Sequence, residues 1–364
     1  MNKIIKVIIV NIVLLGLFDY FFGEKVLNFF YSKNIIESPE AKRLKATELQ
    51  KKEKKYRIKH NHFHHTLKKN VNVNSRWGDL IYKTCTDDFG FRKSCKEDKK
   101  NNKNNLVIIG DSTTEGLGLN YDKTFAGMLN SYSEKNIINM SVTSYSPIIY
   151  LKKIQYYIDN GLKVDEVFVF IDISDIDDET YYFKCKNSNS VCVKNLKKVS
   201  DINRIKVEEK NFFPLYEEIK IKTKEIKRKI KPKVYIYRKN YHRSHWTYSE
   251  NTPKITEGIE NAKTHMEELY EYLKNKNIPI SIAVYPIPGQ ILHDVETSKQ
   301  VKIWKEFCTN RCKHFINLFP IFFKEKNKLS DMDIIKKYYL KNDVHFNELG
   351  NKKIFNELLR LKVI

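Results

Sequence analysis

Five residues, scattered over most of a 364-residue chain, have the types needed for acyl transfer. Ser112 sits in "LVIIGDSTTEGLG", Leu106 to Gly118, directly behind an apolar run. His345 and Asp343 lie near the other end, in "KNDVHFNELGN". A serine hydroxyl is a weak nucleophile until a base takes its proton, and the base works best when a carboxylate holds its other nitrogen. The tetrahedral oxyanion that follows needs donors aimed at it. Ser112 is the candidate nucleophile, His345 the candidate base and Asp343 its orienting carboxylate. The candidate oxyanion donors are the N–H groups of Ser112 and Ser141 and the hydroxyl of Ser174. Phosphate chemistry is a poor match: Gly110 to Gly118 lacks the Gly-Lys-Ser/Thr of a P-loop, and no Gly-x-Gly-x-x-Gly opens a helix.

Such residues work only if the fold brings them together, and the pattern around them supplies a means. Strands are expected at 106–109, 137–140, 167–172, 278–286 and 314–319. Helices are expected at 124–134, 147–160, 254–275, 296–308 and 347–361, with Pro147 in a first turn and Gly161 as a stop. Alternating strands and helices predict a parallel sheet with helices on both faces. In such a sheet the loops after the strands form the working edge. Ser112, Ser141 and "DISD" (Asp172 to Asp175) each follow a strand, and Asp343 and His345 precede the last helix. Gly110 is expected to allow a sharp turn beneath the nucleophile, and Gly116 and Gly118 to keep the approach open.

In order and spacing these segments resemble the SGNH (GDSL-type) hydrolase superfamily. "GDSTTEGLG" is similar to its first block, "INMSVTSYSP" to its second, "DISD" to its third and "DVHFNELGN" to its last. The resemblance covers about residues 106–361, a long insertion excepted. It implies an α/β, flavodoxin-like three-layer α/β/α sandwich with a parallel sheet, and Ser112 as nucleophile. Three positions depart from the family pattern. Ser141 replaces a glycine, Ser174 replaces the asparagine that donates to the oxyanion, and Asp343-Val344-His345 shortens the usual Asp-x-x-His, with Asn342 at the older aspartate position. The shortened form resembles the alginate acetyltransferase-like branch. "TDDFGFR" and "HHTLKKN" resemble regions ahead of this domain in membrane-anchored bacterial members. The resemblance implies an esterase removing or transferring acyl groups, acetyl above all, on a cell-envelope polysaccharide. Polysaccharide O-acetylation is the alternative within that class; a non-catalytic glycan-binding or assembly factor is the alternative outside it.

The rest of the chain sets the context. Residues 1–23 carry "IIKVIIVNIVLLGLFDYFF", read as an uncleaved signal anchor, or else a signal peptide, since no Ala-x-Ala-like site follows. Residues 24–105 read as a charged linker and N-terminal extension, and 106–364 as the hydrolase-like domain, with an inserted cap at 176–253. The six cysteines fall into close pairs, Cys85 with Cys95, Cys185 with Cys192 and Cys308 with Cys312. Local even pairing suits disulfides and hence an oxidising compartment. The expected location is therefore the membrane, with the catalytic domain in the periplasm or at the cell surface. Net charge is +22, read as a solvated basic surface rather than a nucleic-acid site, because no nucleic-acid module is present. His60, His62, His64 and His65 lack a carboxylate or cysteine at useful spacing, so no metal and no cofactor are expected. The aromatics of the insertion could stack on sugar rings or form its small core. The expected partners are an acylated carbohydrate or surface polysaccharide, the membrane through the N-terminal helix, and a membrane acyltransferase.

Overall fold

The computed structural model describes residues 3–33, 35–36, 56–78, 80–96, 104–182, 213–230 and 235–363. Ten strands follow in chain order: β1 Arg57–His60, β2 His64–Leu67, β3 Asn72–Trp77, β4 Leu80–Thr86, β5 Arg92–Lys93, β6 Asn105–Gly110, β7 Asn136–Asn139, β8 Glu166–Ile171, β9 Ile280–Val284 and β10 His314–Asn317. The helices are α1 Lys3–Ser32, α2 Ser112–Glu115, α3 Phe125–Tyr132, α4 Pro147–Asp159, α5 Asp175–Tyr182, α6 Pro214–Ile230, α7 Pro253–Lys274, α8 Pro288–His293, α9 Lys299–Cys308, α10 Phe319–Phe323, α11 Asp331–Tyr338 and α12 Glu348–Arg360. Met1–Lys52 with Lys194–Lys233 form one compact unit, and Glu53–Val193 with Val234–Ile364 form the other.

In the larger unit one sheet runs β10-β9-β8-β6-β7-β5-β4-β3. Strands β7, β6, β8, β9 and β10 are parallel, in the order expected of a flavodoxin-like sheet. Their side chains alternate between two cores. Val107, Ile109, Val167, Val169 and Ile171 face one, with Leu151, Ala262 and Trp304. Leu106, Ile108, Phe168 and Phe170 face the other, with Phe125, Ile354 and Leu358. Burial on both faces explains the unbroken apolar run of "VFVFI" in β8. Each such side chain contributes about 1.5–3 kcal/mol by leaving water. Glu166, buried at the start of β8, is neutralised by Lys135 and Lys313, each at 3.0 Å.

The N-terminal extension joins this sheet rather than hanging from it. β3, β4 and β5 add antiparallel strands, and Arg92 on β5 pairs with Asn139 on β7. Their alternation is short and rich in polar residues, which hides them from a search for apolar periodicity. β1 and β2 form a separate hairpin. Disulfides join Cys85 to Cys95 and Cys308 to Cys312. Cys185 and Cys192 lie outside the described residues.

The insertion, expected as one cap, is divided between the two units. Its first residues continue from β8 as α5. The segment 235–252 belongs to the larger unit, where Trp246 donates to Ile173 O at 3.3 Å. Ile236, Tyr241 and Trp246 of this stretch are buried in the core, while Tyr237 and Tyr248 are half-buried. In the smaller unit α6 packs on α1, whose Asp19 accepts from Leu215 N–H and Tyr216 N–H at 2.9 and 2.8 Å and so caps the helix. Ile5–Ser32 of α1 is long and apolar enough to cross a membrane.

Candidate active site

The sheet reverses strand order between β6 and β8, and the loops leaving these two strands meet there. β6 ends at Gly110. The chain passes through Asp111, whose Oδ1 accepts from Thr113 N–H at 2.9 Å, into the one-turn helix α2. That cap places Ser112 at the first helical position, 8% exposed. Gly110 is needed for close packing rather than for an unusual backbone angle, since a Cβ there would lie 2.7 Å from Phe170 O on β8. Gly116, at φ 83°, is the residue that needs glycine's freedom, ending α2 in the left-handed region.

Asp343 and His345 arrive on a tight turn between α11 and α12. Leu340 N–H donates to His345 O at 2.8 Å, and Asn342 takes the left-handed conformation that asparagine tolerates. The turn aims both side chains at α2. His345 Nε2 lies 2.8 Å from Ser112 Oγ. His345 Nδ1 bonds Asp343 Oδ1, which also accepts the His345 backbone N–H at 3.0 Å. With Nδ1–H donating to the carboxylate, Nε2 is left as the acceptor facing the serine.

The electrostatics follow from this chain. Burial opposes the charge on Asp343, but the His345 contacts and the Trp77 N–H hold its carboxyl below the usual range. Burial likewise opposes protonation of His345. The hydrogen bond and charge of Asp343, with Asp111 and Asp172 nearby, outweigh it and raise the imidazole above its ordinary value.

Trp77 escapes sequence reasoning altogether. On β3, 266 residues from its partner, it donates its indole N–H to Asp343 Oδ2 at 2.9 Å. Its ring stands edge-on to His345, centroids 5.1 Å apart. Two arginines of the extension also brace α2. Arg57 grips Glu115 at 2.6 and 3.1 Å, and Arg92 donates to the carbonyls of Glu115, Gly116 and Leu119. The "GFR" stretch was the available signal for Arg92: a basic residue that the fold buries behind a turn.

The three expected oxyanion donors differ in readiness. The Ser112 N–H lies against the Asp111 carboxylate of the preceding residue. The Ser141 N–H donates to Asn139 Oδ1 at 3.0 Å, and Ser174 Oγ donates to Asp172 Oδ1 at 2.7 Å. Beside them lies an acidic cluster, with carboxylate oxygens of Asp111, Asp172 and Asp175 all within 4.8 Å of one another. These are the metal-type ligand atoms that the described residues bring together; the four histidines do not form such a group. Hydroxyls serve the acids instead. Tyr285 donates to Asp172 at 2.9 Å and Tyr150 to Asp175 at 2.7 Å. Burial and mutual repulsion push Asp111 up to about 7 and Asp175 well above its ordinary value. His60 and His64, pushed down to about 4 by burial, and His65, to about 3, are neutral structural groups. His65 Nε2 bonds Thr143 O at 2.8 Å.

A serine hydroxyl, an imidazole and a carboxylate thus stand in one hydrogen-bonded line at a flavodoxin-like switch point. Comparison with known proteins gives low likenesses. No family model and no curated protein matches the chain. Similar solved structures include a lipolytic G-D-S-L family protein from Veillonella parvula, 11% identical over 71% of this chain and 98% of that one, TM-score 0.39. A catalytic mutant of an acetylxylan esterase from Geobacillus stearothermophilus is 14% identical over 71% and 94%, TM-score 0.38. A psychrotrophic esterase from Pseudoalteromonas is 9% identical over 72% and 100%, TM-score 0.37.

Proposed function

We propose that the chain is an SGNH-type serine esterase that removes acyl groups, acetyl above all, from a cell-envelope polysaccharide. One observation carries this reading: the continuous line from Ser112 Oγ through His345 Nε2 and Nδ1 to Asp343 Oδ1. His345 takes the Ser112 proton as Oγ attacks the ester carbonyl carbon. The Ser112 N–H, the Ser141 N–H and the Ser174 hydroxyl meet the oxyanion by exchanging their present acceptors. His345 then passes its proton to the departing sugar oxygen, leaving an acyl-serine. Water, deprotonated by His345, attacks that carbonyl, and the carboxylic acid leaves as Ser112 regains its proton. General base catalysis of this kind contributes ~10²–10⁴-fold.

The apolar helix α1 and the two disulfides support a membrane-anchored enzyme working outside the cytoplasm. A sugar hydroxyl in place of water would make the same acyl-serine a transferase intermediate, with a membrane acyltransferase as acyl source. The test is fluorophosphonate labelling and acetyl-ester turnover with Ser112→Ala as control, repeated with oligosaccharide acceptors. Ser112-dependent labelling and turnover are expected. A wild-type protein that neither labels nor hydrolyses any acetyl ester overturns the reading.

A further inference from the structure

Ser112 Oγ has two neighbours that both want its proton. His345 Nε2 lies at 2.8 Å and Asp111 Oδ2 at 2.9 Å on another side. A serine hydroxyl owns one hydrogen. If Asp111 is ionised, its carboxylate accepts that hydrogen, and the lone pair of Oγ, not the proton, faces the base. If Asp111 carries a proton on Oδ2, the same contact runs the other way.

We infer that Asp111 works as a protonated acid, its Oδ2–H donating to Ser112 Oγ and so directing the one serine proton to His345 Nε2. This rests on the catalytic reading of Ser112 and His345 given above. The geometry allows it in full. Oδ1 is already used as the acceptor for Thr113 N–H, leaving Oδ2 as the oxygen that bears hydrogen. The surroundings favour it too. Asp111 is 2% exposed, and the acids Asp172, Asp175 and Asp178 repel its charge. Tyr150 and Tyr285 face the cluster as neutral phenols. The opposing cations are His345 and Arg243, the latter on the 235–252 segment. Burial and Asp172 push Asp111 up to about 7.

Asp111 and His345 thus share a proton count. With the proton on Asp111 the imidazole is neutral and the serine is poised. With the proton on His345 the imidazolium donates to Oγ, Oγ donates to the Asp111 carboxylate, and the centre is idle. Total charge is the same in both forms, and the apparent pKa values belong to the pair. Asp111→Asn holds the first form permanently: the amide oxygen caps Thr113 N–H and the amide N–H donates to Ser112 Oγ.

The experiment compares wild type, Asp111→Asn and Asp111→Leu in p-nitrophenyl acetate turnover across pH, in fluorophosphonate labelling rate, and in the NMR titration of His345. Asp111→Asn keeps a donor to Ser112 Oγ, so near neutrality its kcat/KM exceeds that of Asp111→Leu. It loses the alkaline decline that wild type shows above about pH 7, where Asp111 ionises. Its His345 titrates where it does in wild type, since a neutral amide replaces a neutral acid. Asp111→Leu, with no donor, labels at least tenfold more slowly than Asp111→Asn. Asp111→Asn as inactive as Asp111→Leu, or a His345 titration that falls in Asp111→Asn as it would on losing a negative neighbour, overturns the inference. The NMR arm needs no turnover, so it separates this failure from failure of the esterase reading.

Discussion

Trp77 and Asp343 meet through a 2.9 Å hydrogen bond between the indole N–H and Oδ2, and the oxygen it occupies is the one His345 does not use. Asp343 therefore has both oxygens held, one by the imidazole and one by the N-terminal extension. Trp77→Phe keeps a flat ring against His345 and removes only the N–H. A hydrogen bond to a charged group is worth about 1.5–3 kcal/mol, and a loss of about 1.4 kcal/mol in the transition state is tenfold in rate. The expected result is a kcat about tenfold lower with KM little changed. In an Asp343→Asn background Trp77→Phe adds no further loss, because the group it positions is no longer a carboxylate. Equal losses in both backgrounds would assign Trp77 to general packing.

The second brace is electrostatic. Glu115 is 2% exposed at its side chain and depends on Arg57, itself 27% exposed, for neutralisation. Burial opposes ionisation of Glu115, yet Arg57 holds its carboxyl below the ordinary range. Removing Arg57 leaves this buried charge with only the Thr143 N–H and hydroxyl, at 2.7 and 2.8 Å, and the field of Arg92, so Arg57→Ala costs about 3 kcal/mol in urea unfolding at neutral pH. Stability from a depressed carboxylate is present above its unfolded pKa and lost as pH falls through the folded one. The gap between wild type and Arg57→Ala accordingly narrows below about pH 4. A gap that is constant with pH would show that lost packing, not charge, is the cause.

Asp175 has the opposite sign. It is fully buried, its Oδ1 has no hydrogen-bond partner, and burial followed by the charges of Asp172 and Asp111 raises its pKa. The unfolded chain ionises this acid near pH 4, but the folded chain keeps the proton to higher pH. Folding stability therefore falls as pH rises from about 4 toward the folded pKa. Asp175→Asn still accepts from Tyr150 and carries no charge. It melts about 2–4 °C above wild type near pH 7, equivalent to about 1 kcal/mol, and at the same temperature near pH 4. Equal melting at both pH values would mean that the acid is not strained.

The residues on strand ends are legible in sequence because parallel strands and their helices have strong periodicity. Ser112 and Asp172 each follow an apolar run, and Asn347 caps the helix behind His345 with its side chain on Gly350 N–H. The extension is not legible in this way. β3 alternates exposed and buried positions with only Ser75 fully buried, so Trp77 looks like one aromatic in a polar stretch. Its role depends on β3 lying at the far edge of the same sheet, a long-range pairing that local pattern does not encode. The acidic cluster is hidden for the same reason. Asp111 and Asp172 stand 61 positions apart by number, and only the pairing of β6 with β8 makes them repel.

Ser174 is the sharpest departure from the pattern that the chain resembles, and its bond explains what the change does. Its Oγ donates to Asp172 Oδ1 at 2.7 Å, and its N–H donates to the same oxygen at 2.8 Å. Both donors are committed to a carboxylate, a strong acceptor. Turning the hydroxyl toward an oxyanion exchanges one charged acceptor for another, so little is gained in the transition state relative to the ground state. A preorganised oxyanion donor is worth ~10²–10³-fold in kcat. Ser174→Ala is expected to lower kcat less than about tenfold, far below that range. A loss of a hundredfold or more would instead make Ser174 a full oxyanion donor, and would mean that substrate binding pulls its hydroxyl away from Asp172.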